Sequence, residues 1–482
     1  MSENLKQKTI SGLFWQFSQK FIGQIFSFVV TLILARLLLP EDYGVVAIAG
    51  MFNILAGIFI NCSLDIALVQ KKDVDELDYN TVFYSALLAS IIVYLGVYCC
   101  APIVSNIYKN ELICPVIRTM ALTMPLSSLS IIQNTKIIRS MKFKTFFYTT
   151  LTGQIFAGAF GIYFAFHGYG AWALVIQSLV GSIVNTLSLF CIVRWLPKLM
   201  YSFERFKVLF SFAWKRSAAG LMGTFCNQLK GYLIGYQYTT ADLAFLNRGE
   251  GLPDMLKNNI SGTIDGVLFP ALTKLQDDKE RLKSGIKRSI IVANYVLAPT
   301  MFGLAAVSDK LVPLLYSAKW SPAIPFMQIS CITVCVVVIN NTNLQVLYAI
   351  GRSDEVLRIE YIKKIVMIII LLISIYISPI AISAGFLVHS CHELFWTSRS
   401  LSKYIDYSLT EQLNDIKSST LLALSMTIII FIIGQQLNNV YFSLLIQVIT
   451  GFIYYIILSY LLKLEGFNTI KGQLYSFIKS KS

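Results

Sequence analysis

Charged residues are scarce in this sequence: of 482 residues, 14% are Asp, Glu, Lys or Arg, whereas 56% are hydrophobic. A soluble globular protein carries roughly 25% charged residues, so the composition excludes an ordinary cytosolic protein. A membrane-spanning helix needs about 20 apolar residues, and about fourteen such helices would account for the hydrophobic share. Too few residues then remain for a compact soluble catalytic domain. The composition therefore predicts an all-α polytopic membrane protein.

Paired metal-binding or catalytic motifs are also missing. The nine cysteines include no CxxC pair and lie mostly in apolar runs, where we interpret them as small apolar side chains. GxSxG, Walker A and supported DxD-like motifs are absent, so we predict neither an enzyme nor a bound cofactor. His389, His392 and Glu393 follow no HExxH or HxxEH order. For this cluster we favour buried packing or a proton-active pair over a metal site.

Apolar blocks along the chain predict fourteen membrane spans, which account for most of its length. The predicted spans are 11–37, 43–69, 80–107, 115–138, 146–166, 170–193, 208–235, 242–272, 286–307, 325–350, 356–377, 380–399, 419–436 and 440–462.

The basic residues predict the orientation of these spans. With the N-terminus in the cytoplasm, roughly 32 of the 40 lysines and arginines fall in inner loops or the C-terminal tail, as the positive-inside rule requires. We therefore expect a multi-pass protein of a bacterial plasma (inner) membrane with both termini in the cytoplasm. The net charge of +14 is then mainly a topology signal and implies no nucleic-acid partner.

A faint internal repeat divides the chain. Residues 34–36 and 41–44 join the first two spans, and similar residues at 234–236 and 241–244 join the seventh and eighth. Six spans separate the two copies, so the halves are predicted to lie parallel in the membrane, related by a pseudo-twofold axis. We accordingly predict two six-helix lobes, 1–207 and 208–407. A last segment, 408–482, adds two helices and a cytoplasmic tail.

Polar residues follow one face of the first two helices of each predicted half. A charge at the bilayer centre costs about 2.5–3.5 kcal/mol, so such residues usually face a cavity or a partner. A water-filled cavity shared by the two halves is the economical interpretation. The alternative is that these groups tie helices together through hydrogen bonds. The stripes are Gln16, Lys20, Gln24, Ser27 and Thr31; Asn53, Gly57, Asn61 and Asp65; Arg216, Gly220, Gly223, Asn227 and Lys230; and Glu250, Asp254, Lys257, Ser261 and Asp265.

The charges in these stripes suggest two kinds of ligand. Lys20 and Lys230 have no obvious acidic neighbour on their own helices, which fits an anion such as a phosphate. The fourth stripe is net acidic and fits a coupling cation, either H⁺ or Na⁺. Within it, Asp254 stands three residues before Lys257, a spacing at which the two charges can neutralise each other.

Five motifs in order along most of the chain resemble those of bacterial polysaccharide flippases, the Wzx type within the MATE-like MOP exporter superfamily. The resemblance is closest to the colanic-acid and teichuronic-acid exporters. It implies a V-shaped cavity between two six-helix lobes, with two extra helices at the C-terminus. The motifs are 35–44 (ARLLLPEDYG), 67–70 (ALVQ), 233–235 (LIG), 267–272 (VLFPAL) and 311–320 (LVPLLYSAKW), the last followed by Pro322 and Pro325.

The resemblance further implies alternating-access transfer of undecaprenyl-pyrophosphate-linked oligosaccharide for surface polysaccharide synthesis (O-antigen, capsule or exopolysaccharide). Partners would be membrane lipids, a polysaccharide polymerase and chain-length machinery. On this basis we predict that Lys20, Lys230 and Arg248 contact phosphate and that Gln16, Gln24, Asn53 and Asn61 contact sugar or water. Glu250, Asp254, Lys257 and Asp265 would form the charge network.

One residue departs from the family pattern. Lys230 stands where the family usually has an aspartate, whereas Arg248 matches a basic position of the family. Lys230 is therefore hypothesised to add to the anion site. Two other functions remain open: a membrane-embedded glycan polymerase or ligase, and a cation-coupled multidrug exporter of the same superfamily. The first would need a sizeable outer loop, but the longest predicted one, 308–324, carries only Asp309, Lys310 and Lys319 as charged residues.

Overall fold

The computed structural model of the chain describes residues 2–61, 64–273 and 278–479, and every regular element in these ranges is helical. Two compact units are present, Met1–Ala244 and Phe245–Ser482, here named the N-terminal unit and the C-terminal unit. The helices are α1 (Ser2–Leu37), α2 (Pro40–Asn61), α3 (Leu64–Gln70), α4 (Glu76–Ile107), α5 (Ile113–Met120), α6 (Thr123–Leu129), α7 (Ile131–Ser140), α8 (Phe143–Phe166), α9 (Ala171–Val193), α10 (Phe203–Gln237), α11 (Thr240–Thr273), α12 (Lys279–Tyr316), a short 3₁₀ helix (Ala318–Ala323), α13 (Ile324–Ala349), α14 (Ser353–Ser374), α15 (Pro379–Ile405), α16 (Leu409–Gln436), α17 (Val440–Leu461) and α18 (Glu465–Lys479).

The predicted all-α polytopic fold is confirmed, and each predicted span coincides with a helix or a group of short helices. Among the described residues, eight helices are long and apolar enough to cross a membrane, or nine if one bent pair counts as a span. Helices such as α10 and α11 fall outside this set because charged residues interrupt their apolar sequence. These two helices are among the four whose polar stripes the sequence singles out.

The fourth predicted span is not one straight helix. It consists of α5, α6 and α7, and the axis bends by 44° between Ile113–Leu129 and Ile131–Ser140. Hydroxyl groups near the breaks bond to the local backbone: Thr123 Oγ1 donates to Met120 O at 2.7 Å and Ser130 Oγ donates to Ser127 O at 2.9 Å. Such bonds compete with the helical ladder, and Pro125 within α6 lacks an amide donor. The segment therefore bends although its hydrophobicity is continuous.

Close helix contacts in the N-terminal unit depend on glycine. A Cβ added to Gly158 of α8 would lie 2.8 Å from Val30 Cγ2 of α1, and one added to Gly161 would lie 3.0 Å from Gln177 Cβ of α9. Because lipid provides no hydrophobic drive between helices, close packing at small residues supplies the attraction. These glycines hold α1, α8 and α9 together.

Helix α10 packs within the N-terminal unit. A Cβ added to Gly231 would lie 2.2 Å from Met51 Cε of α2. Tyr108 Oη donates to Tyr232 O at 3.2 Å, which joins α10 to the residue following α4. The compact unit thus extends to Ala244, and the predicted division at residues 207 and 208 stays a prediction.

The two copies of the repeat have the same local structure. Asp42 Oδ2 accepts the backbone N–H of Leu39 at 3.0 Å, and Asp242 Oδ2 accepts that of Thr239 at 3.1 Å. Each aspartate lies in the first turn of its helix, α2 or α11, where a carboxylate interacts favourably with the helix dipole. The repeat detected in the sequence is therefore a repeated helix start.

Gly44 of the first repeat copy admits no side chain. A Cβ at this position would lie 1.8 Å from the carbonyl oxygen of Thr240, a backbone atom that no rotamer change can move away. We expect Gly44→Ala to lower the free energy of unfolding by about 1–3 kcal/mol or more, as overpacking does. Gly50→Ala in the same helix is the control, since its Cβ would meet no described atom within 4 Å. Thermal denaturation of the purified protein should separate the two variants, and equal losses would contradict the packing argument.

The C-terminal unit is built on α12. Tyr455 Oη of α17 donates to Tyr295 O at 3.0 Å, and Asn294 Nδ2 of α12 donates to Ser419 Oγ of α16 at 2.9 Å. Lys310 Nζ donates to Ser443 Oγ of α17 at 2.7 Å. Helix α18, which the span prediction does not contain, packs on α12 through Gly466 against Tyr295. The last helices of the chain thus belong to the same packed core as α12.

Candidate functional site

The predicted cavity residues of α1 lie beside its packed face. Phe26, Val30 and Leu34 contribute to the hydrophobic core that includes Ala165 of α8. Lys20 is exposed and Gln24 is half-buried. The side chain of Gln16 lies outside the described part of the structure. The lysine thus stays accessible on a helix whose other face is packed.

Asn53 of α2 has protein partners. Its Nδ2 donates to Met120 O at 3.2 Å and to Thr123 Oγ1 at 3.4 Å, at the break between α5 and α6. This contact is of the helix-tying kind that the sequence left open as the alternative, and the role of Asn53 toward sugar stays a prediction. The side chain of Asn61 lies outside the described residues.

Lys230 is half-buried on α10. Asn227, one turn earlier on the same face, is exposed, and a Cβ added to Gly223 would meet no described atom within 4 Å. The adjacent face, with Gly231 and Gly235, packs tightly against neighbours. Lys230 therefore lies on α10 at the boundary between a packed face of the helix and an exposed one.

Arg248 of α11 is held by aromatic rings of the C-terminal unit. Its guanidinium carbon lies 4.9 Å from the ring centroids of both Tyr316 and Trp320, and Trp320 is fully buried. Next to it, a Cβ added to Gly249 would lie 2.7 Å from Ala323 O. Cation–π contacts of this kind hold a guanidinium against the faces of the rings. Both rings belong to the 311–320 motif, so this motif has the structural role of holding the Arg248 side chain in place.

The charge network predicted on α11 is partly an ion pair within one helix. Lys257 Nζ lies 2.6 Å from Asp254 Oδ1, the neutralising contact that their spacing allows. Glu250 is half-buried. The side chain of Asp265 lies outside the described residues. The cation site proposed for these residues stays a prediction.

The histidines of α15 have separate partners. His389 is buried, with Nε2 3.2 Å from Lys363 O of α14, and His392 Nε2 accepts the indole N–H of Trp396 at 2.9 Å. Glu393, next to His392, lies 2.9 Å from Lys363 Nζ. The cluster is thus divided between an interhelical ion pair and two different histidine contacts.

A second charged network, which sequence reasoning missed, lies at one end of the N-terminal unit. The side chain of Asp78 is fully buried and lies 2.6 Å from Lys71 Nζ and 2.8 Å from Arg205 Nη1. Asp75 and Asp78 form a reciprocal capping box at the start of α4. Such a D-x-x-D pattern before an apolar run signals a helix start, but nothing in the sequence connects it to Arg205.

Glu76 extends this network to the residues that follow α9. Its carboxylate accepts the indole N–H of Trp195 at 2.8 Å and lies 3.1 Å from Lys136 Nζ. Lys136 also lies 4.5 Å from the ring centroid of Tyr79. Basic residues of this kind serve above only to orient the spans. Here Lys71, Lys136 of α7 and Arg205 of α10 also bind carboxylates in the first turn of α4.

A family model described as "Polysaccharide biosynthesis protein" matches residues 33–325 of the chain, which is more than half of it. The chain belongs to this family. The match begins in α1 and ends in α13, so it includes parts of both compact units. The family resemblance expected from the sequence motifs is confirmed.

Two curated relatives of this polysaccharide biosynthesis protein match most of its length. "Succinoglycan biosynthesis transport protein ExoT" of Rhizobium meliloti is 22% identical over 354 residues, 73% of this chain and 72% of the relative. "Lipopolysaccharide biosynthesis protein WzxC" of Escherichia coli is 24% identical over 405 residues, 80% of this chain and 79% of the relative.

A solved structure shares the fold of this polysaccharide biosynthesis protein. "Lipid II flippase MurJ" in an inward closed conformation aligns with a TM-score of 0.75 and 15% identity, covering 93% of this chain and 98% of its own. At this identity the likeness establishes the fold and not the residues of the site. The phosphate and sugar contacts stay predictions.

Proposed function

We propose that this member of the polysaccharide biosynthesis family is a flippase. It would move undecaprenyl-pyrophosphate-linked oligosaccharide repeat units from the cytoplasmic to the outer face of a bacterial plasma membrane. The family match over residues 33–325 carries this proposal. A relative named as a transport protein and a shared fold with a flippase support it. The reaction breaks no bond, so the protein acts as a transporter and needs no catalytic residue.

Two lysines of the N-terminal unit, Lys20 and Lys230, fit this substrate. Lys20 is exposed on α1 and Lys230 lies at the edge of an open face of α10. A pyrophosphate carries several negative charges, and ammonium groups bind it through charge-assisted hydrogen bonds. Lys20 and Lys230 would hold the pyrophosphate while the protein alternates between inward-open and outward-open states. Arg248, fixed by two rings, would be a less mobile contact.

Coupling to an ion is part of the same proposal. Glu250 and Asp254 are the described acidic groups of the α11 stripe, and Asp254 is already paired with Lys257. A proton or sodium ion would compete with Lys257 for the Asp254 carboxylate. Both termini would be cytoplasmic, as the distribution of basic residues predicts.

Deleting the gene and locating the lipid-linked repeat units tests the proposal. We expect the units to accumulate on the cytoplasmic face and surface polymer to be lost, because unflipped units cannot reach the periplasmic assembly machinery. Single units on the outer face would instead identify a polymerase or ligase. Unchanged glycan with altered drug sensitivity would identify a drug exporter. Re-expression of the wild-type chain from a plasmid is the control.

A further inference from the structure

A cleft of about 780 Å³ lies in the C-terminal unit, where α14 and α15 meet the first turn of α16. Its walls include three cations, Arg358, Arg399 and Lys403, and one carboxylate, Glu355. Hydroxyl side chains of α15 and of the turn after it complete the polar wall, and Trp396 adds an aromatic ring. The cleft is therefore cationic and offers many hydrogen-bond donors.

Two of the three cations are available to a ligand. Lys403 Nζ lies 3.1 Å from Glu355 Oε1, which also accepts from Tyr404 Oη. Arg358 and Arg399 are exposed, and within the described ranges neither guanidinium donates a hydrogen bond to a protein acceptor. Because a guanidinium presents five N–H donors in a planar fork, two of them on one cleft match the oxygens of a phosphate.

A basic cleft of the N-terminal unit provides a contrast. It has a volume of about 510 Å³ and is lined by Lys136, Arg139 and Lys142. There Lys136 pairs with Glu76. Arg139 donates to the carbonyl oxygens of Lys71 at 2.7 Å and Lys72 at 3.1 Å. Those donors are used within the protein. In the C-terminal cleft, the Arg399 guanidinium carbon lies 5.7 Å from the Trp396 ring centroid, but among the described residues the N–H groups of Arg358 and Arg399 donate to no protein acceptor.

Exposed apolar surface extends from both arginines. On α14, Tyr361, Ile365 and Leu372 follow Arg358 at helical spacing and are 66%, 60% and 57% exposed. From Arg358 to Leu372 the helix rises about 21 Å, more than the roughly 15 Å thickness of one hydrocarbon leaflet.

On α15, Phe395 and Val388 precede Arg399 at similar spacing and are 47% and 60% exposed. Both stripes continue in the direction of the membrane interior, since the arginines lie at the ends of their helices. The cleft thus has a cationic end and an apolar continuation long enough for an acyl chain.

We infer that this cleft binds an anionic phospholipid, with Arg358 and Arg399 on the headgroup phosphate and the acyl chains along α14 and α15. Basic pockets between membrane helices recognise such headgroups, and Trp396 suits the interfacial depth at which they lie. This site lies within one unit and does not depend on which substrate the protein transports. A bound lipid would fill the space between α14, α15 and α16.

Lipid titration of the full-length protein tests the inference. The protein would be delipidated in detergent and titrated with dioleoylphosphatidylglycerol or dioleoylphosphatidylcholine, and bound lipid counted by native mass spectrometry. Each arginine near a phosphate contributes about fivefold in affinity, so Arg358→Gln and Arg399→Gln should each weaken phosphatidylglycerol binding about fivefold and together about 25-fold. Lys142→Gln, in the other basic cleft, is the matched control and should leave binding unchanged.

Three results would overturn the assignment. The double variant could bind phosphatidylglycerol as tightly as the wild type, or the wild type could bind both lipids equally. Displacement of phosphatidylglycerol by millimolar inorganic phosphate would identify a site for free anions and not for lipid. An unchanged elution volume on size-exclusion chromatography would verify that the variants are folded, and the Arg358→Lys/Arg399→Lys variant should regain part of the affinity because it restores the charge.

Discussion

Replacing Asp78 with asparagine is expected to lower the free energy of unfolding of the N-terminal unit by about 3 kcal/mol, the lower end of the 3–5 kcal/mol that breaking a buried ion pair costs. The Asp78 side chain is fully buried and lies within 3 Å of both Lys71 Nζ and Arg205 Nη1. Asparagine has nearly the same shape but no charge, so Lys71 would lose its counter-ion and Arg205 would keep only its pair with Asp75. Their side chains are about one-third exposed and can recover some hydration, which favours the lower end of the range.

Asp75→Asn is the matched control for this prediction. Asp75 also lies 3.0 Å from Arg205 Nη1, but its side chain is 53% exposed, and an exposed ion pair contributes about 1 kcal/mol or less. Asparagine is as good an N-cap as aspartate, so the start of α4 would be preserved. Unfolding of the purified protein by denaturant titration should rank Asp78→Asn well below Asp75→Asn in stability. Equal stabilities would show that burial of Asp78 does not govern the network.

Replacing Lys230 with alanine is expected to abolish export of the lipid-linked units. A hydrogen bond to a charged group contributes about 1.5–3 kcal/mol, which corresponds to a loss of roughly 10- to 150-fold in affinity for the pyrophosphate. Lys230 is half-buried and outside the tightly packed face that holds Gly231 and Gly235. We therefore expect the variant to fold and to reach the membrane at normal levels.

Complementation of a deletion strain measures this effect through surface polymer and the sidedness of the lipid-linked units. Lys230→Arg should retain part of the export because it keeps the positive charge. Asn227→Ala, one turn away on the same helix face, removes no charge and should lose less export than Lys230→Ala. Wild-type export by Lys230→Ala would refute the anion role, whereas reduced membrane levels would point to a packing role.

The fold was largely predictable because apolar runs of about 20 residues are a strong signal. Helices α8 and α9, for example, begin and end within a few residues of the predicted spans 146–166 and 170–193. The breaks between α5, α6 and α7 were not predictable from hydrophobicity, since they arise from local hydroxyl bonds and Pro125. Helix α18 was missed because it is short and polar on one face.

The candidate site was less predictable than the fold. Helical spacing places Lys20 and Lys230 on particular faces, but which face is covered depends on neighbours distant in sequence. The clearest case is Asp78, whose partner Arg205 follows 127 residues later. The positive-inside rule assigns Arg205 to a side of the membrane but not to a carboxylate. Similarly, Arg358 and Arg399 come together only because α14 packs on α15.

The glycine contacts between α1 and α8 also bear on how the chain is made. Gly158 of α8 accommodates Val30 of α1, yet α8 is synthesised 128 residues after that valine. At about 5–20 residues per second, the ribosome needs roughly 6–26 s to deliver the partner. During this interval α1, with Lys20 and Gln24 on its surface, has to reside in the membrane or at the translocon without its packing partner. Helix α1 therefore depends on the insertion machinery during this interval.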